Sequence, residues 1–156
     1  MEFKAEYYVV LEALSRGGKT AEELAEVAGI EVHDAEAILS TLTAYGLVER
    51  REKGLIFRKE VYTLTDRGWE VLEKWRHEVR DKLQKAAELR REGLREEANE
   101  LVAPLAPALP ALLAMGMLDM ALYSAALGAA VAAPEEAITE EDTSEVGDFG
   151  VGDDEL

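Results

Sequence analysis

Residues 46–72 read GLVERREKGLIFRKEVYTLTDRGWEVL, and this stretch decides the fold of the 156-residue chain. Its pattern is typical of a helix end, a strand over residues 47–51, a charged turn at 52–54 that contains glycine, and a return strand over 55–64. Thr65 and Asp66 then cap a new helix, because their side chains can accept hydrogen bonds from the free N–H groups of its first turn. We therefore expect a β-hairpin that is held between two helices.

Three helices are predicted upstream of the hairpin. The first covers residues 3–15, and its apolar side chains form one stripe at helical spacing: Phe3, Tyr7, Val10, Leu11 and Leu14. The second begins at Thr20, which forms a capping box with Glu23, and ends at Gly29 as a left-handed cap. The third covers residues 32–45 and ends at Gly46, with a buried face made by Ala35, Ile38, Leu39 and Leu42.

The chain changes character downstream of the hairpin. The fourth helix carries an apolar seam that suits packing against the first helix or a second copy of the chain: Val71, Leu72, Trp75, Val79, Leu83 and Ala86. At least one of Trp69 and Trp75 should be core. Gly93 breaks this helix, and a short helix follows over residues 94–102. Three prolines at 104, 107 and 110 exclude one continuous helix there.

Composition divides the chain into three parts, namely a domain at residues 1–75, a helical extension at 76–133 and an acidic tail at 134–156 that we expect to be disordered. The net charge is −16, which argues against a generic nucleic-acid binder. However, residues 101–156 hold eleven acids and no base, whereas residues 51–100 hold twelve acids and thirteen bases. Phosphate contacts act over roughly 8 Å at physiological salt, so a local patch of bases matters more than the total.

Several classes of function are excluded or disfavoured. The chain has no cysteine, so disulfides, thiolate zinc sites and cysteine nucleophiles are absent. No phosphate-binding glycine loop, H-E-x-x-H motif or nucleophile elbow occurs, so we expect no enzyme activity and no cofactor or metal. His33 and His77 are expected to be plain surface histidines, and the acids of the tail match no calcium loop. With no signal peptide, the expected compartment is the cytoplasm; one Gln, one Asn and many charges hint at a thermophile.

Residues 1–75 resemble the winged-helix-turn-helix transcription regulators of archaea and bacteria. The resemblance rests on TAEELAEVAGI in the second helix, on ILSTLTAYGLVER at the end of the third, and on YTLTDRGWEVL after the hairpin. It implies a mainly α fold with a small β-hairpin, the wing, followed here by a helical extension. It also implies double-stranded DNA as partner and a role in transcription regulation. Because two-fold symmetry suits paired half-sites on DNA, we expect a homodimer whose interface is formed by residues 76–133, which the resemblance does not cover.

The resemblance also implies which residues meet DNA. On the third helix these are His33, Ser40, Thr41 and Thr43; on the wing they are Arg50, Arg51, Lys53, Arg58 and Lys59. The chain departs from the family on the third helix, which has no Arg, Lys, Asn or Gln to bond purine edges and instead begins with Asp34 and Glu36. This departure puts base-specific reading in doubt.

Three alternatives stay open from the sequence. The wing bases could be solvated charges that pair with Glu49, Glu52 or Glu60. The domain could be a protein–protein adaptor that docks its acidic third helix on a basic partner. Residues 111–133 are apolar except for Asp119, Tyr123 and Ser124, so they could form either a buried helix or a membrane anchor with Asp119 in mid-span.

Overall fold

The computed structural model describes residues 1–128 of the chain. Three helices come first: α1 (Ala5–Leu14), α2 (Ala21–Ala28) and α3 (Val32–Ala44). An antiparallel hairpin of β1 (Val48–Lys53) and β2 (Lys59–Leu64) leads into the long helix α4 (Asp66–Arg91). Then follow α5 (Arg95–Val102), a 3-10 helix (Ala103–Ala108), α6 (Leu109–Ala114) and α7 (Met120–Leu127). The mainly α fold with one hairpin is the predicted winged-helix arrangement, which is thereby confirmed.

Both ends of α2 are capped by the residues that the sequence predicts. The Thr20 hydroxyl accepts from the Glu23 backbone N–H at 3.1 Å, and the Thr20 N–H donates to the Glu23 carboxylate at 2.9 Å. Gly29 closes the helix in the left-handed conformation with φ at 73°, which glycine adopts without a steric penalty. The predicted capping box and glycine cap are both confirmed.

The two sequence motifs on either side of the hairpin meet in space. The Thr65 hydroxyl donates to the Gly46 carbonyl at 2.6 Å and accepts from the Gly68 N–H at 3.0 Å. The Thr65 N–H donates to the Leu47 carbonyl at 3.0 Å. The end of α3 is therefore joined to the start of α4, and the wing projects from this junction.

The predicted turn of the wing is wrong. The strands stay paired as far as Lys53 and Lys59, which lie opposite each other, and the loop covers residues 54–58. Leu55, Ile56 and Phe57, which the sequence pattern assigns to the start of the return strand, lie in this loop. The apolar run has a strand-like composition, but it finds no partner strand and no core to cover it within residues 1–128.

The predicted apolar stripe of the first helix lies in the core or against it, but burial extends beyond the stripe, because α1 is enclosed on almost every side. Its interior side chains comprise Ala5, Tyr8, Val9, Val10, Leu11, Glu12, Ala13 and Leu14. The winged domain covers one face, while the 3-10 helix and α6 of the extension cover another. A helix that is apolar almost all round is a buried helix.

The extension packs on its own chain. Helix α4 contacts α1, α5 and α7, and the buried side chains of the extension join the same core as those of the winged domain: Ala98, Val102, Leu105, Ala108, Leu109, Leu112, Met115 and Ala126. Of the two tryptophans, Trp75 is core and Trp69 is exposed, so the prediction that at least one of them is core is confirmed. Helix α4 runs through position 75 without a break, so the sequence boundary falls inside an element; the division into domains stays a prediction.

A single apolar helix over residues 111–133 is not formed. Helix α6 ends at Ala114, Gly116 has a positive φ of 75°, and Asp119 begins α7 by accepting from the Ala121 N–H at 3.0 Å. Asp119 is therefore a helix cap and not a charge in mid-span. Across residues 1–128, each helix is too short or too polar to cross a bilayer. The predicted acidic tail at 134–156 lies outside the described residues.

Candidate nucleic-acid interface

Helix α3 presents one buried face and one open face. Ala35, Leu39 and Leu42 are fully buried, and Ile38 is half-buried against them, as the spacing predicts. Ser40 and Thr43 are exposed on the other side. The open face therefore carries small hydroxyl side chains.

One open depression of about 480 Å³ brings three of the predicted site residues together. Ser40 and Thr43 from α3 lie on one side of it, and Arg50 from β1 lies on the other. Tyr62 lies opposite Arg50 in the strand register and completes the lining with Ala44. The depression is where α3 meets the base of the wing, so a ligand seated there touches both elements.

The threonine hydroxyls of α3 bond back to their own helix. Thr41 donates to the Ala37 carbonyl at 3.1 Å, and Thr43 donates to the Leu39 carbonyl at 2.7 Å. With their protons engaged, these hydroxyls offer only acceptor lone pairs to a ligand. Thr41 is also half-buried, which leaves Ser40 and Thr43 as the accessible pair.

His33 lies among carboxylates at the start of α3. Its Nδ1 is 3.3 Å from Glu31 and its Nε2 is 3.4 Å from Asp34, and all three side chains are largely exposed. The trio has the ligand types of a metal site, but exposed clusters of this kind are common on acidic proteins. Two flanking carboxylates oppose a phosphate, so the geometry does not favour His33 as a DNA contact.

The wing holds five bases and three acids, a net charge of +2 over residues 48–64. Three of the bases face carboxylates: Arg50 to Glu60 at 3.7 Å, Arg51 to Glu49 at 3.2 Å, and Arg58 to Glu52 at 2.9 Å. Within residues 1–128, Lys53 and Lys59 have no carboxylate within 4.0 Å. The sequence alternative in which the wing bases pair with wing acids therefore describes the arginines and not the lysines.

These ion pairs hold the wing arginines only weakly. Every arginine and glutamate in them is between 46 and 68% exposed. Exposed pairs contribute about 0–1 kcal/mol, because water screens them and the long side chains lose freedom when they pair. A phosphate that releases condensed counterions competes well with such a partner.

A second open depression, of about 510 Å³, lies between α2, α3 and β2 and is acidic. Its charged lining consists of Glu22, Glu23, Glu36, Glu60 and Lys59. Contact of the Glu23 carboxylate with the Thr20 backbone N–H is the main reason that the pKa of Glu23 is lowered. The first turn of α2 is thus occupied by its own carboxylates, which leaves it a poor place for a phosphate.

A buried ion pair lies away from this surface, beneath the extension. Arg76 donates from Nε and Nη2 to the two oxygens of Glu12, each at 2.9 Å, and the Glu12 side chain is 2% exposed. This bonding raises the pKa of Arg76. Burial, reinforced by the Glu12 charge, raises the pKa of the neighbouring Tyr8 phenol far above its ordinary value. Glu12, Arg76 and Tyr8 line a cavity of about 400 Å³ with apolar residues of α4, α6 and α7.

Sequence reasoning missed two parts of the surface. The sequence marks Tyr62 only as a strand residue, although its register with Arg50 brings it to the depression; counting back from the turn finds it once the turn is placed correctly. The second part is the loop of the wing, where Leu55, Ile56 and Phe57 are 97, 84 and 83% exposed. Because they are apolar, the sequence pattern assigned them to the return strand.

Comparisons with known proteins give one structural likeness. No protein-family model matches the chain, and no curated protein matches it. A crystal structure of Bacillus subtilis PadR in complex with operator DNA is similar at a TM-score of 0.44 and 17% identity, over 88% of this chain and 97% of that chain. Likeness at this level does not establish what the chain does, so its function has to be argued from its own residues.

Proposed function

We propose that this protein binds double-stranded DNA through its winged helix and acts as a transcription regulator without catalytic activity. One observation carries the proposal: Ser40 and Thr43 of α3 share an open depression with Arg50 of the wing. A helix beside a hairpin of positive charge offers a duplex one element for the major groove and one for the neighbouring backbone.

The side chains of the wing and of α3 suit different parts of DNA binding. The wing cations supply affinity, since each Lys or Arg on a phosphate releases counterions, and this affinity depends on salt. Ser40 and Thr43 supply modest base preference, because a single hydroxyl cannot make the paired bonds that Arg or Asn makes to a purine edge. We expect the contacts of α3 to discriminate only weakly between DNA sequences.

The experiment is a salt titration of duplex binding with the full chain and two triple variants. Arg50→Ala, Arg51→Ala and Lys53→Ala together should lower affinity and flatten the slope of log K against log salt by about 2–3, roughly one for each phosphate that the wing can no longer neutralise. Lys74→Ala, Lys85→Ala and Arg91→Ala remove the same charge from exposed positions of α4 and should leave the slope unchanged. If both triple variants change the salt slope equally, the wing contributes only through the total charge of the chain, and the proposal is overturned.

A second candidate is favoured by the acidic depression between α2 and β2. Four glutamates line it and suit a basic protein segment. In this role the domain is an adaptor, and DNA binding at low salt is absent. Glu22→Gln with Glu36→Gln then weakens capture of the basic partner, whereas in the DNA role the same change strengthens duplex binding by removing repulsion.

We also propose that the regulator is a homodimer assembled through the extension. The supporting observation is that Met120, Ala121 and Ala125 of α7 stay exposed in the single chain, and small residues allow close helix packing. Two-fold symmetry suits paired half-sites about one helical turn apart. Sedimentation of the full chain tests it: a monomer at concentrations well above those of DNA binding contradicts this assembly.

A further inference from the structure

The outer end of the wing exposes three consecutive large apolar side chains. Leu55, Ile56 and Phe57 are 97, 84 and 83% exposed, the highest values among the large hydrophobic residues in the described part of the chain. Soluble proteins seldom leave adjacent large apolar groups in water unless a partner covers them. We call residues 55–57 the wing tip.

The wing tip is held outward by a tight loop. Gly54 has a φ of 106°, and a Cβ at this position would lie 2.3 Å from the Phe57 carbonyl oxygen. The loop therefore folds back on itself so closely that only glycine fits at its start. At its base, Arg58 donates to Glu52 at 2.9 Å across the hairpin. This geometry presents the three apolar side chains at the far end of the strands.

Two lysines that have no carboxylate within 4.0 Å in residues 1–128 lie at the base of the wing tip, although Lys59 also borders the acidic depression. Lys53 and Lys59 are directly opposite in the last rung of the hairpin, and like charges in that position repel. A phosphate on each side relieves the repulsion. A surface that is cationic at its rim and apolar at its end suits a polyanion whose charge is outside and whose interior is apolar, and a DNA duplex has this arrangement.

The position of the wing tip relative to α3 favours DNA over an anionic membrane. From Arg50 in the depression, β1 runs three residues further to Lys53, about 10 Å of extended strand, and the loop that carries the wing tip follows. One duplex can therefore contact α3 at the base of the wing and the wing tip at its end, whereas a membrane surface would meet the tip alone.

We infer that the wing tip enters the minor groove and inserts Ile56 or Phe57 between base pairs, which unstacks one step and kinks the duplex. Apolar wedges of this type bend DNA toward the major groove in minor-groove binding proteins. Flexible pyrimidine–purine steps are the easiest to open, so the wedge prefers TA and CA steps. The inference rests on the proposed DNA binding and adds a source of sequence preference that α3 lacks.

The test uses the full chain and a duplex with 2-aminopurine at a central TA step, whose fluorescence rises when the base unstacks. The wild-type protein should raise the signal several-fold and retard circularly permuted fragments as a bend does. Ile56→Ser with Phe57→Ser should abolish the fluorescence rise and lower affinity by about 10-fold, within the range that loss of one stacked side chain costs. Its salt slope should stay unchanged, because every wing cation remains.

A matched control changes two exposed apolar residues elsewhere, Val27→Ser with Leu94→Ser, and should keep both the signal and the affinity. If the wild-type protein binds the duplex without any rise in fluorescence, or the wing-tip variant keeps the rise, the wedge is wrong and DNA binding stands. If the wild-type protein binds no duplex at low salt, both proposals are wrong. Capture by vesicles of phosphatidylcholine and phosphatidylglycerol that needs Ile56 and Phe57, with no fluorescence rise on DNA, assigns the tip to lipid instead.

Discussion

At the scale of single residues, Gly68 is the position that fixes where the wing leaves the domain. It is buried in the first turn of α4, and a Cβ on it would lie 2.0 Å from the Leu47 carbonyl oxygen. That carbonyl also accepts from the Thr65 N–H. Helix α4 can approach the start of β1 this closely only because residue 68 has no side chain.

We expect Gly68→Ala to destabilise the fold by about 3 kcal/mol, at the upper end of the usual cost of overpacking. The added methyl group meets backbone, which cannot rotate away, so α4 or β1 must shift. Urea unfolding measures the change. Arg67→Ala, on the exposed neighbour, should alter stability by less than about 0.5 kcal/mol. A Gly68→Ala protein as stable as the wild type contradicts the close approach.

The Glu23 carboxylate gives a pH-dependent contribution to stability. Its bond to the Thr20 N–H lowers its pKa in the folded state below the ordinary 4.5. The stabilisation is therefore complete above pH 4.5 and is lost as the pH falls through the lowered folded value. The difference in urea midpoint between the wild type and Glu23→Gln should stay constant from about pH 6 to 8 and shrink toward about pH 3. A difference that grows as the pH falls contradicts this assignment.

At the scale of elements, local signals predicted helix ends well and burial poorly. Thr20 with Glu23, Gly29, Thr65 and Gly93 mark boundaries through bonds to their own neighbours, so sequence alone suffices for them. The burial of Glu12 depends on α4, α6 and α7 arriving from far along the chain. The residues near position 12 in the sequence do not predict this burial. The wing tip was assigned wrongly to a strand for a related reason. An apolar run indicates that its side chains will be covered, but it does not identify the core, strand or partner that covers them.

The Glu12–Arg76 pair joins α1 to α4 beneath the extension, and breaking it from one side should be costly. Arg76→Met leaves a buried carboxylate without its partner, so we expect a loss of about 3–5 kcal/mol. Glu12→Leu with Arg76→Met removes both charges and should be less destabilised than Arg76→Met alone. Unfolding of the single and double variants measures this.

The matched control is Glu73→Gln, which breaks the other ion pair of Arg76. Glu73 is 3.1 Å from the guanidinium but 66% exposed, so its loss should cost less than about 1 kcal/mol.

The candidate DNA site could be predicted only in part from the sequence. The resemblance implies Ser40, Thr43 and Arg50, which meet in one depression, whereas Tyr62 joins them through the strand register.

At the scale of the whole molecule, the wing and the rest of the chain carry net charges of opposite sign. Residues 1–128 hold 23 acids and 17 bases, a net charge of −6, and the remaining residues hold ten acids and no base. The wing itself is positive, at +2. A polyanion that approaches the wing therefore meets a chain of negative net charge, and the C-terminal acids contribute ten of its sixteen net negative charges.

Removal of residues 134–156, which contain all ten of those acids, should strengthen duplex binding by about tenfold at low salt. The gain should fade as salt shortens the range of charge to about 3 Å near 1 M. A full-length variant with the ten acids changed to Gln or Asn separates charge from chain length and should bind as the truncated protein does. Gel shifts across a salt series measure both. If truncation strengthens binding and neutralisation does not, the segment acts by steric cover of the wing, and the electrostatic account of its effect is wrong.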